Sequence, residues 1–97
     1  MKQTFDQFCF ESSRFVTKKY STSFYAGVKS LDKSIRSDIH NIYGFVRLAD
    51  EIVDSFHDFD QAYLLEKFKS ETFESISQGI SVNPILNSFQ YTVNKYN

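Results

Sequence analysis

The chain has 97 residues, of which 41% are hydrophobic and 18% aromatic, with a formal net charge of −1 and a single cysteine. A chain of this length can form one small core but not a large ligand cavity as well. The interleaved charges argue against nucleic acid as a partner, and one cysteine excludes an intrachain disulfide. No secretory signal is visible, and no apolar run approaches the roughly 18 residues of a membrane span. We therefore expect a cytoplasmic protein whose only membrane contact would be peripheral.

Only three glycines and one proline occur in the whole sequence, which favours long helices. The first half of the chain is predicted to contain two helices. Thr4 with Gln7 forms a capping-box pattern, which predicts that the first helix begins there. Helical spacing of apolar residues then continues to about Lys19. Residues 20–30 are less periodic, and we predict a short helix between turns.

The second half contains three further predicted helices. Asp32 is a candidate cap for a long helix that ends near Phe56. Asp60 can cap the next helix, for which Gly79 is the predicted stop. Asn83 followed by proline predicts the start of the last helix. The sequence therefore predicts an all-α fold.

The long third helix has two apolar stripes and a polar strip between them on a helical wheel. The first stripe is Ile35, Ile39, Ile42, Val46, Ala49 and Val53, and the second is Phe45, Leu48 and Ile52. The polar strip consists of Arg36, His40, Tyr43, Arg47, Asp50, Glu51 and Asp54. Helices that are apolar on two sides are usually buried, so we expect Val46→Asp to damage folding.

Asp50 and Asp54 are the candidate metal ligands of this strip. They lie one helical turn apart, where like charges repel, and apolar neighbours would make ionisation costly without a partner. Mg²⁺ commonly binds through one or two carboxylates together with phosphate oxygens, and Arg47 offers planar donors for a phosphate. The pattern is also compatible with an ordinary surface salt bridge between Arg47 and Asp50. Asp58 forms a second such pair with Asp54, which we interpret as the solvated helix end.

Three segments resemble the squalene/phytoene synthase family. Residues 43–54, Tyr-Gly-Phe-Val-Arg-Leu-Ala-Asp-Glu-Ile-Val-Asp, are similar to the first aspartate-rich motif of that family. Residues 20–25, Tyr-Ser-Thr-Ser-Phe-Tyr, resemble its Ser-x-Ser-Phe segment at the expected separation. Residues 83–86, Asn-Pro-Ile-Leu, resemble the start of a later family helix.

The resemblance implies an all-α prenyltransferase bundle of which residues 1–97 are the N-terminal helices, a single partial domain. The family joins two identical prenyl diphosphates head to head through a cyclopropyl intermediate. By this resemblance Asp50 and Asp54 would hold Mg²⁺, or Mn²⁺ as an alternative, and Arg47 would contact the diphosphate. Ser21 and Ser23 would also contact the diphosphate. Without the resemblance, the two serines would be interpreted as caps of a short helix. Phe24 and Tyr43 would line the cavity beside the reacting carbons.

The chain departs from the family pattern because a second aspartate-rich motif, expected on a later helix, is missing. Asp58 and Asp60 lie too close to the first motif to replace it. We therefore expect the remainder of the bundle to be needed for activity. Phytoene synthase activity on geranylgeranyl diphosphate is the first candidate, and squalene or dehydrosqualene synthase activity on farnesyl diphosphate is the second. Two alternatives stay open, a non-catalytic relative that binds a prenyl diphosphate or lipid and a helical interaction module.

Overall fold

A computed structural model describes all 97 residues as five α-helices without a β-strand. The helices are α1 (Lys2–Tyr20), α2 (Thr22–Val28), α3 (Lys33–Asp54), α4 (Gln61–Gln78) and α5 (Pro84–Tyr96). The prediction of an all-α fold is confirmed. None of these helices combines the length and the apolar character needed to cross a bilayer.

Three helix starts and one helix end are made by the residues that the sequence indicated. The side chains of Asp32, Asp60 and Asn83 each accept hydrogen bonds from backbone N–H groups in the first turn of α3, α4 and α5. Gly79 ends α4 with a φ of 74°, a left-handed conformation that favours glycine. These ends were predictable because each is made by a residue next to the helix it terminates.

The predicted start of α1 is wrong. The helix begins at Lys2, and its first backbone bond runs from the Phe5 N–H to the Met1 carbonyl. The Lys2 ammonium lies 2.8 Å from the Asp6 carboxylate, and this i,i+4 ion pair stabilises a helical turn that begins before Thr4. No side chain caps this helix end.

Helices α1, α3 and α5 pack against one another, while α4 covers α3 and α5 and α2 packs on α1. The buried apolar residues are few: Cys9, Val28, Ile52, Ile85 and Leu86. The single cysteine, Cys9, is fully buried and free. Polar side chains, several of them as small as serine, fill much of the remaining interior, namely Ser13, Thr17, Asn41, Thr72, Ser75, Asn87, Ser88, Gln90 and Thr92. Small side chains let helix backbones approach closely.

Helices α1 and α3 approach each other closely at Gly44. A methyl group added at Gly44 would lie 3.3 Å from Ser13 Oγ and 3.5 Å from Ser13 Cβ. The next residue, Phe45, stacks on Phe89 of α5 with ring centroids 3.8 Å apart and on Phe68 of α4 at 5.3 Å. These contacts hold the middle of α3 on one side against α1 and on the other against α4 and α5.

A buried carboxylate joins α3 to the end of α5. Asp38 is 5% exposed and accepts hydrogen bonds from Thr92 Oγ1 at 3.0 Å, Lys95 Nζ at 2.9 Å and the Tyr96 hydroxyl at 2.7 Å. Asn41 donates to Thr92 Oγ1 at 3.0 Å, so the amide extends the network. Burial alone would raise the pKa of Asp38, but these hydrogen bonds outweigh it and hold the pKa below its usual value.

Replacing Gly44 with leucine should separate α1 from α3, because the Ser13 atoms leave no space for a longer side chain. We expect the free energy of unfolding to fall by about 2 kcal/mol or more, measured by urea denaturation. Gly27→Leu is the control, since no atom lies within 4 Å of a methyl group there. Equal losses in the two variants would contradict the close approach at Gly44.

The Asp38 network should make stability depend on acid pH. Because the pKa is depressed in the folded state, the network contributes fully above the unfolded value of about 3.9 and is lost as pH falls through the folded pKa. Asp38→Asn should lower the melting temperature at neutral pH by about 5 °C or more and flatten its decline below about pH 4. Melting curves of Asp58→Asn, an exposed carboxylate without a partner, should match the parent chain throughout.

Candidate functional site

The junction of α1 and α2 covers the middle of α3. Phe24 of α2 stacks on Tyr43 of α3, with ring centroids 5.1 Å apart and an interplanar angle of 23°. The guanidinium carbon of Arg47 lies 5.2 Å from the ring centroid of Tyr20, the last residue of α1. Three of the predicted site residues, Phe24, Tyr43 and Arg47, are therefore brought together. Tyr20, which was not among the predicted site residues, lies against Arg47 and helps to position it.

Ser21 and Ser23 lie at the start of α2. Ser21 Oγ accepts the Phe24 N–H at 3.2 Å, so Ser21 caps this helix, as its local sequence suggested. The two serine hydroxyl oxygens are 3.5 Å apart, and neither bonds to Arg47. A hydroxyl that accepts one hydrogen bond can still donate its own proton. The predicted diphosphate contact of both serines stays a prediction.

Arg47 has donor groups that its carboxylate neighbours do not fully satisfy. Its Nη2 lies 3.6 Å from Glu51 Oε1 and 3.8 Å from Asp50 Oδ2, both longer than a direct hydrogen bond. Its Nε is buried and has no hydrogen-bond partner. Glu51 is thus the nearer acidic neighbour, and its i+4 spacing from Arg47 could have indicated this from the sequence.

Asp50 and Asp54 face solvent. The Asp50 side chain is 53% exposed, and Asp54 is exposed and makes no hydrogen bond or ion pair. Beside them, Val46 is 46% and Val53 53% exposed. The expectation that apolar neighbours enclose the two carboxylates and make their ionisation costly is therefore wrong for this chain, because none of its other helices covers that face of α3.

The first apolar stripe of α3 is not the core stripe. Ile42, Val46 and Val53 are all exposed, whereas Ile52 of the second stripe is 8% exposed and Phe45 is stacked between two rings. The two stripes compete for the interior, and the stripe that carries the aromatic ring packs against α4 and α5. The expectation that Val46 belongs to the core is wrong for the same reason.

The predicted polar strip is divided between two surfaces. Arg36 donates to the backbone carbonyls of Leu31 at 2.9 Å and Lys29 at 2.7 Å, which holds the turn between α2 and α3. His40 is 6% exposed and lies against Tyr25, with ring centroids 5.7 Å apart. Neither residue shares the exposed face of Asp50. Only the C-terminal half of the predicted polar strip therefore lies on that face.

The donor set of this face suits a cation held jointly with a ligand. No group of three or more His, Cys, Asp or Glu side chains is arranged to hold a metal ion. Asp54 has both carboxylate oxygens free, and Asp50 has only the long contact with Arg47. Two carboxylates with open positions fit Mg²⁺ whose remaining ligands are water and phosphate oxygens, and do not form an all-protein cage.

The squalene/phytoene synthase family matches residues 17–97. The chain belongs to this family. Neither a curated protein nor a solved structure matches it. The family consists of prenyltransferases, and its range in this chain extends from the end of α1 to the last residue, so it includes every predicted site residue.

Val46→Asp should leave the fold intact, because a half-exposed position on the open face of α3 keeps the new carboxylate hydrated. We expect the free energy of unfolding to change by less than about 1 kcal/mol. Ile52→Asp should lower it by about 3 kcal/mol or more, since it places an unpaired charge at an 8% exposed position. Urea denaturation of the two variants measures the difference. If Val46→Asp were as unstable as Ile52→Asp, the assignment of Val46 to the exposed face and Ile52 to the core would be disproved.

Proposed function

We propose that this chain supplies the first metal-diphosphate site of a head-to-head prenyl diphosphate synthase. The observation that carries the proposal is the pair Asp50 and Asp54, one turn apart with uncommitted oxygens on the face that Arg47 and Tyr43 border. The membership of the chain in a prenyltransferase family supports the same assignment. The reaction would join two identical prenyl diphosphates with loss of diphosphate.

Arg47 would bind and orient the diphosphate. Its guanidinium is held over Tyr20, and its contacts with Asp50 and Glu51 exceed hydrogen-bond length, so it retains donors for phosphate oxygens. Donors fixed before the reaction stabilise the negative charge that grows on the departing diphosphate. The hydroxyls of Ser21 and Ser23, at the adjacent start of α2, would add donors to the same group.

Asp50 and Asp54 would hold Mg²⁺, or Mn²⁺ as an alternative, against the diphosphate. When bound, the metal ion would neutralise charge on the leaving group. It would also relieve the repulsion between the two carboxylates themselves.

The stacked rings of Phe24 and Tyr43 would steady the allylic carbocation left when diphosphate departs. Phe24 is 42% exposed, so part of its face is open to a ligand. The negative face of an aromatic ring attracts a cation, most strongly where water is excluded. In this proposal the remainder of the bundle encloses the prenyl chain and carries the second aspartate-rich motif. Geranylgeranyl diphosphate is the first candidate substrate and farnesyl diphosphate the second.

The proposal predicts Mg²⁺-dependent binding of an unreactive prenyl thiodiphosphate. Asp50→Asn and Asp54→Asn should each weaken binding by about tenfold or more, because each removes one charged metal ligand. Isothermal titration calorimetry with farnesyl and geranylgeranyl thiodiphosphates, with Mg²⁺ or with EDTA, measures this.

Asp58→Asn is the matched control, since it removes an exposed carboxylate beyond the end of α3. It should bind like the parent chain, and circular dichroism should show equal helicity in all three variants. A binding affinity that is the same with Mg²⁺ and with EDTA, or a loss of binding that is equal in all three variants, would refute the metal-diphosphate site.

A further inference from the structure

A concave surface lies between α1, α2 and α3, and none of the candidate site residues lines it. It is a cleft of about 600 Å³. Its charged lining residues are Glu11, Arg14, Lys29, Lys33 and Arg36. Four of these five are positive, and none of the four forms an ion pair with a carboxylate. In a chain with a net charge of −1, this cleft is a local excess of positive charge.

The cations gather around one aromatic ring. Arg14 Nη2 donates to the Tyr25 hydroxyl at 2.8 Å, and the Lys29 ammonium lies 5.0 Å from the centroid of the same ring. Lys18 approaches the ring at 5.8 Å. A ring quadrupole attracts a cation but does not cancel its charge, so the cluster still repels itself without an anion.

A buried nitrogen without a partner lies in the wall of this cleft. His40 is 6% exposed, and its Nδ1 atom is buried and makes no hydrogen bond. Buried polar atoms in folded proteins are nearly always paired, so an unpaired one calls for a missing partner. The His40 ring lines the cleft, so an anion bound there would lie beside it.

We propose that this cleft binds a phosphate-bearing anion without a metal ion. Guanidinium and ammonium groups are strong donors to phosphate oxygens, and Arg14, Lys29 and Lys33 present both kinds. The His40 ring lines the same cleft. The site is separate from the proposed prenyl diphosphate site and does not depend on it.

The test is isothermal titration calorimetry with inorganic pyrophosphate in EDTA, so that no metal site contributes. The variant Lys29→Gln/Lys33→Gln should bind at least about tenfold more weakly than the parent chain, because it removes two charged donors. Lys67→Gln/Lys69→Gln, which removes two exposed charges from α4, is the matched control and should bind like the parent chain. Asp50→Asn should also leave binding unchanged, which separates this cleft from the metal-dependent site.

Two further measurements locate the site and its ligand. Titration with pyrophosphate should move the ring nitrogen resonances of His40 in an NMR spectrum and leave those of His57 unchanged. Sedimentation with phosphatidylcholine vesicles containing phosphatidic acid, lost in Lys29→Gln/Lys33→Gln, would assign the anion to a lipid headgroup instead of a dissolved phosphate. The proposal is overturned if neither pyrophosphate nor these vesicles bind, or if the α4 control loses binding equally.

Discussion

The rotation of α3 about its own axis is set by two adjacent residues. Gly44 lets the backbone of α1 approach at Ser13, and Phe45 stacks on Phe89 at 3.8 Å. Because adjacent helical residues point about 100° apart, these two contacts leave one orientation of α3 that satisfies both. The Asp38 bonds to α5 lock the same orientation from the N-terminal half of the helix.

That orientation decides what the rest of α3 can do. It directs Asp50 and Val46 to the open face, while Tyr43 and Arg47 lie at its edge under Phe24 and Tyr20. The result is a face with immobilised donors on one side and free carboxylates on the other. An exposed aliphatic surface between them is unfavourable in water. This combination suits a ligand with both a charged and an apolar part, the chemistry of a prenyl diphosphate.

The parts of the fold that were predictable from the sequence are those set by neighbouring residues. Asp32, Asp60 and Asn83 cap helices within a few residues of themselves, and the helical spacing of the site residues follows from one segment. The choice between two apolar stripes was not predictable, because it depends on ring contacts with other helices. The burial of Asp38 was missed for a similar reason, since its hydrogen-bond partners lie more than 50 residues away along the chain.

The acidic charges of α3 run against its macrodipole at the C-terminal end. The N-cap Asp32 carboxylate complements the positive end beside Lys33, whereas the last turn carries Glu51 and Asp54 and no basic residue. Each such acidic charge disfavours the helix by about 0.3–1 kcal/mol at an exposed site, and only Arg47 offsets part of the acidic cluster. Selection for helix stability alone would place basic residues in this turn. Under the proposed function a bound cation would lie at the negative end of the helix and would reverse this penalty.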